Sequence, residues 1–296
     1  MAAMAGDIRV AAVQMEMRAA EPQAHFDRMH GYVRHAADYG ADIILFPEWH
    51  TLQMLASRPG LVPAAAMDWL TDRTELLTDA LQAMAKAETI TIIGGSHPMR
   101  DGNRLENRCP IALPDGSLIL KPKLHPTPDE RGVWALQGGD SMDAFDTPKV
   151  RTGVAICYDS EFPEPVRRIA DQGAGVLFVP YYTETRHGHF RVRYCCQARA
   201  VENQTYVVTA GMFGEIAGVA NATRGHAQSA VYTPSDLGFA RDGIAAEAEA
   251  NCDDVIFADL DLSRIARARE EGHVRNLADR RSDLYRVEWF GKADGS

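Results

Sequence analysis

The 296-residue sequence is poor in the features that tie a chain to a special environment. Its five cysteines, Cys109, Cys157, Cys195, Cys196 and Cys252, are odd in number and include no Cys-x-x-Cys pair. That set argues against a disulfide framework or a structural zinc site, and free thiols are expected. No apolar run reaches the roughly 18–20 residues of a membrane span. The N-terminus has neither a basic stretch nor an apolar segment of signal-peptide type, so a cytoplasmic protein is expected, without a membrane partner. Positive charge is also in short supply. Lys and Arg number 31 against 41 Asp and Glu, a net charge of −10, which repels phosphate backbones and argues against a nucleic-acid partner. Linkers rich in Gly and Ser are missing too. One domain over 1–296 is expected, with a core at about 8–270 and an arm over 271–296.

What is present is an alternation of strand and helix patterns. Residues 8–15, 42–46, 89–93, 105–113, 117–121, 151–156, 176–179, 204–211, 227–232 and 255–260 read as strands. Helical spacing marks 21–39, 66–86, 163–172, 190–203 and 262–270. Residues 122–140, rich in Pro and Gly, are expected to form an ordered loop, and the Ala/Glu-rich stretch 244–251 a solvated loop or helical turn. The alternation argues an α/β fold. Residues 37–47 echo 170–180, each a helix end, a Gly stop, an apolar strand and a Pro. This predicts two similar α/β layers around one core.

In parallel sheets, reactive side chains gather beyond the carboxyl ends of strands. Glu48 and Cys157 stand at two such ends. Taken alone, Glu48 reads as a loop acid and Cys157 as a small buried hydrophobe. A stiff segment carrying Lys121 and Lys123 between prolines could aim an ammonium at the same place, or lie on the surface. His187-Gly-His189 and the adjacent Cys195-Cys196 do not have spacing that converges on an ion, so no metal or cofactor is expected.

Together these pieces resemble the nitrilase superfamily of carbon–nitrogen hydrolases. Ile43 to Glu48 is similar to its first motif, Lys123-Leu-His125 with Glu130 to its second, and Cys157-Tyr-Asp-Ser-Glu-Phe-Pro-Glu164 to its third. Ala198 to Asn203 and Arg280 to Tyr285 extend the likeness across nearly the whole chain. The wording around Cys157 looks nearest to a branch often fused to an acetyltransferase-like domain. No second such domain is expected within these residues.

The resemblance implies a four-layer α-β-β-α sandwich with two mixed sheets of about six strands each. It implies Cys157 as nucleophile, Glu48 as base, Lys123 as oxyanion stabiliser and Glu130 as an orienting acid, with the backbone N–H of Tyr158 as a second oxyanion donor. A small linear amide or carbamoyl compound would be the substrate, cleaved through a thioester with release of ammonia or an amine. An acyltransferase using the same thioester, a nitrilase proper and a non-catalytic binding protein are the alternatives. Two carboxylates around one ammonium would make the site net negative before any thiolate forms, so the resting thiol is expected to be neutral. Trp49, Tyr181 and Tyr182 are candidates for the pocket wall. One of Arg186, Arg191 and Arg193, or His187, is the candidate for holding a substrate carboxylate, against the alternative of arginines on a solvated helix face. A homodimer or larger homo-oligomer is expected, the apolar residues of 276–290 docking on the body or on a second copy.

Overall fold

The computed structural model describes residues 6–219, 222 and 224–291. Strand β1 (Asp7–Glu16) is apolar on both faces. Ile8, Val10 and Ala12 enter one core cluster, and Ala11, Val13 and Met15 enter another, as period-two geometry requires of a strand covered on both sides. Helix α1 (Pro22–Asp38) starts on Pro22, a residue pre-set for a first helical turn. The chain returns through β2 (Ile43–Leu45), a 3-10 turn at His50–Ser57, α2 (Pro63–Thr71) and α3 (Thr74–Glu88). Next come β3 (Thr91–Ile93), β4 (His97–Asp101), β5 (Arg104–Ala112), β6 (Leu118–Pro122) and α4 (Pro128–Val133).

The second half repeats the plan. It holds β7 (Phe145–Asp146), β8 (Arg151–Val154), a 3-10 turn at Cys157–Glu161, α5 (Pro163–Asp171), β9 (Val176–Tyr182), α6 (Arg186–Asn203) and β10 (Tyr206–Phe213). It closes with β11 (Ala230–Tyr232), β12 (Ile244–Glu247), β13 (Asp254–Asp261) and α7 (Leu262–Glu271). The echo at 37–47 and 170–180 corresponds to α1–β2 and α5–β9, with Gly40 (φ 71°) and Gly173 (φ 91°) in the left-handed region just past each helix.

The expectation of two separate sheets is overturned. The strands form one 13-stranded sheet, whose main path runs β4-β5-β3-β2-β1-β10-β9-β8-β7. The join is the parallel pairing of β1 with β10, at Met15↔Met212 and Glu16↔Phe213. The sheet curls, so one apolar cluster draws on Val10, Ile43 and Ile111 from one half and Ile156, Val176 and Val208 from the other. Strand and helix periodicity cannot specify this join, because it is a contact between residues almost 200 positions apart.

Local differences have local causes. The helix expected over 66–86 is two helices broken at Asp72–Arg73, where the Arg73 guanidinium lies on the Trp69 ring and donates to the Trp69 carbonyl at 2.7 Å. Helix α6 begins at Arg186 rather than Phe190, because the Thr185 hydroxyl caps it by accepting from the Gly188 N–H. Part of 244–251 is strand β12, paired antiparallel with β11.

Candidate active site

Glu48 lies three residues past β2, Lys123 directly after β6 and Cys157 three residues past β8. In strand order β2 and β8 are separated by β1, β10 and β9, so only the curl brings Glu48 and Cys157 together. Glu130 arrives on α4, inside the segment expected to be loop. The signal for that helix is Thr127-Pro-Asp-Glu130, a capping box. Thr127 accepts from the Glu130 N–H at 3.2 Å, and the Glu130 carboxylate accepts from the Thr127 N–H at 2.7 Å.

The Lys123 ammonium is buried between two carboxylates. It donates to Glu48 Oε1 at 2.8 Å and to Glu130 at 2.9 and 2.7 Å. Asn107 on β5 donates to Glu48 Oε1 and to Glu130 Oε1, both at 3.1 Å, and the Trp49 indole N–H donates to Glu130 at 3.0 Å. The other Glu48 oxygen accepts the Tyr182 backbone N–H at 3.0 Å. The Cys157 thiol is in hydrogen-bond contact with Glu48 and lies 3.6 Å from the Tyr182 carbonyl. The backbone of one residue at the end of β9 thus touches both the acid, through its N–H, and the thiol, through its carbonyl.

Burial sets the protonation states. It raises Glu48 most of all, and despite the opposing pull of Lys123 its pKa stands at about 7. Burial also works against the Lys123 charge, but Glu130 and Glu48 outweigh it and hold the ammonium well above the free-lysine value. For Glu130, Lys123 and the N–H donors overcome burial and keep the carboxyl below its ordinary value. Burial, then the charge of Glu48, push the Cys157 thiol well above its usual range, with Lys123 opposing. The thiol rests neutral. Its backbone is left-handed, φ 49°, a conformation non-glycine residues adopt rarely and chiefly where surrounding structure imposes it.

These groups line one cavity of about 550 Å³, with Trp49, Trp134 and Tyr158 in its wall. Trp49 and Trp134 pack edge to face at 4.8 Å between ring centres. Tyr182 is also in the wall, its hydroxyl donating to the Arg224 carbonyl at 2.8 Å. Tyr181 is not. Side chains alternate along β9, and its ring points into the core, where the hydroxyl accepts the Gln228 N–H at 2.9 Å. Arg186 and His187 are exposed and lie outside the cavity wall. Arg193 is outside it as well and pairs with Glu247, whereas Arg191 lines the cavity but pairs with Glu161 at 2.8 Å. Asn107 and the Tyr182 peptide were not legible in the sequence, since nothing local marks a strand asparagine or a backbone group as part of a site.

The carbon–nitrogen hydrolase family model matches residues 9–270. The chain is 38% identical over 283 residues to the probable hydrolase YhcX of Bacillus subtilis, covering 95% of this chain and 55% of that protein. It therefore spans about half the length of this relative. It is 30% identical over 288 residues to the omega-amidase NIT2 of Homo sapiens, covering 95% of this chain and 97% of the relative. An amidase from Nesterenkonia sp. superposes with a TM-score of 0.74 at 22% identity, over 94% of each chain. The chain belongs to the carbon–nitrogen hydrolase family.

Proposed function

We propose that this chain hydrolyses the C–N bond of a small amide through a thioester on Cys157. The observation that carries the reading is a buried acid of pKa about 7 in contact with both a neutral thiol and a buried ammonium. Sulfur attacks the carbonyl carbon while the thiol proton passes to Glu48. Lys123 and the Tyr158 N–H stabilise the oxyanion, and Glu130 and Asn107 hold Lys123 and Glu48 in line. The C–N bond breaks as Glu48 returns the proton to nitrogen, and ammonia or an amine leaves. Water then attacks the thioester and gives its proton to Glu48, and the acid departs as the thiol re-forms.

The names of the relatives, a probable hydrolase and an omega-amidase, support an amide as the substrate. The nearly half of YhcX outside the match supports kinship with the branch fused to a second domain. We read 1–296 as one hydrolase domain with a C-terminal arm, active in the cytoplasm. Leu284, Tyr285, Val287 and Phe290 on that arm are exposed, which supports a homodimer or larger assembly that covers them.

The test is ammonia release from a panel of amides, carbamoyl amines and nitriles, with Cys157→Ala alongside. Turnover that Cys157→Ala abolishes, with an acyl adduct on Cys157 seen by mass spectrometry, is expected. Turnover that survives the substitution overturns the reading.

A further inference from the structure

The charges around the cavity fall into two tiers. On the buried floor are Glu48, Glu130 and Lys123, which neutralise one another in part. On the rim are Asp129, Glu161, Glu184 and Arg191. Arg191 is taken up by Glu161 at 2.8 Å. Asp129, on α4, and Glu184, on the loop before α6, are exposed and form no ion pair among the described residues. They lie close enough that the charge of Asp129, after burial, raises the Glu184 carboxyl, with Arg224 drawing it the other way. Of the cationic candidates for gripping a substrate carboxylate, Arg186, His187 and Arg193 are outside the wall, and Arg191, within it, is the one already paired with Glu161. A substrate entering this cavity meets negative charge that no cation of the wall compensates.

We infer that the cavity takes an amide or carbamoyl compound whose far end carries a positive charge, held at the rim by Asp129 and Glu184. This rests on the amide-hydrolase reading above: the cavity with its buried thiol makes the site, and the two carboxylates choose what enters it. A cleft lined by one sign of charge concentrates the opposite sign and repels its own. A terminal ammonium would replace bulk water around two like charges, whereas a terminal carboxylate would add a third.

Three substrates of matched length separate the cases: 6-aminohexanamide, hexanamide and adipamate, with 5-aminopentanamide and glutaramate one carbon shorter. The expected order of kcat/KM is cation, then neutral, then anion, with at least about tenfold between the extremes. Added salt should compress it. In the double variant Asp129→Asn, Glu184→Gln the ratio of 6-aminohexanamide to hexanamide should fall by a similar factor. A readout free of turnover is the labelling rate of Cys157 by cationic against anionic methanethiosulfonates, each divided by its rate with a free thiol. That ratio should favour the cation and lose its preference in the double variant. Preference for adipamate, or wild-type ratios in the double variant, overturns the inference. Cys157-dependent hydrolysis of hexanamide with no charge preference overturns it alone and leaves the hydrolase reading standing. If no amide is turned over, the hydrolase reading falls and this inference with it.

Discussion

The Asp159 carboxylate binds the backbone N–H of His125 at 2.8 Å and lies 2.8 Å from the His125 ring Nδ1. Asp159 stands two residues past Cys157, and His125 two residues past Lys123. The second Asp159 oxygen accepts the Leu124 N–H at 3.2 Å. The fully buried carboxylate therefore clamps the turn that carries the thiol to the loop that carries the ammonium. Asp159→Asn places an amide N–H against one of those N–H donors. We expect kcat to fall about ten- to a hundredfold, with KM changed far less, from misplacement of Lys123 relative to Cys157. Steady-state kinetics on the best amide checks this, and a far-UV spectrum like the wild type's separates misplacement from unfolding.

The pH profile should report the cluster around Glu48. Only the carboxylate form can accept the thiol proton, so kcat/KM should rise through pH about 7 and level above it. Lys123, held well above the free-lysine value, and the raised Cys157 thiol keep the alkaline side flat through neutral pH. Glu48→Gln should abolish turnover. Iodoacetamide labelling of Cys157 should still climb above pH 8, and a thiolate absorbance near 240 nm at pH below 7 would contradict the neutral resting thiol.

Behind Glu48 lies a chain of buried imidazoles whose titration should govern acid stability. His25 Nε2 is 2.9 Å from His50 Nδ1, His50 Nε2 is 2.9 Å from the Gly94 carbonyl, and His97 meets Thr51 at 2.9 Å. Burial lowers all three, His50 to about 4 and His97 to about 3. Between those values and the unfolded pKa near 6.5, the unfolded chain binds more protons, so stability present above pH 6.5 is lost as pH falls toward 4. For His50 alone the loss is on the order of 3 kcal/mol. Urea midpoints should drop steadily from pH 7.5 to 5, and His97→Gln should make that slope shallower.

The turn that aims Glu48 rests on a glycine. Gly95 has φ 70°, and a Cβ there would overlap the Pro47 carbonyl. Gly95→Ala must displace Pro47 and therefore Glu48. We expect a stability loss of about 1–3 kcal/mol and a larger proportional loss of turnover, measured by urea unfolding and by ammonia release.

Local pattern carried much of this molecule. The apolar runs at 8–15, 42–46 and 176–179 are strands because alternating or continuous apolar residues bury only that way, and Gly40 and Gly173 end helices because few other residues accept the left-handed turn. The segments ending in Glu48, Lys123 and Cys157 were legible as strand ends and a stiff loop. The capping box at Thr127 and Glu130 stands in the sequence but was passed over, because the surrounding Pro and Gly read as loop.

Tertiary structure decided what those segments meet. That β1 pairs with β10 and joins all strands in one curled sheet is a matter of which free edges find each other across the chain, and edge choice leaves no periodic trace. The same curl lets the Tyr182 N–H and Asn107 reach Glu48, while the alternation of side chains along β9 turns Tyr181 into the core. It also leaves Arg186 and His187 outside the cavity while Asp129 and Glu184 stand at its rim. By itself the sequence determined which residues can be strand, helix and reactive group. Distance, burial and the sign of the field at the thiol depend on contacts between residues far apart in the chain, and only the packed structure supplies those.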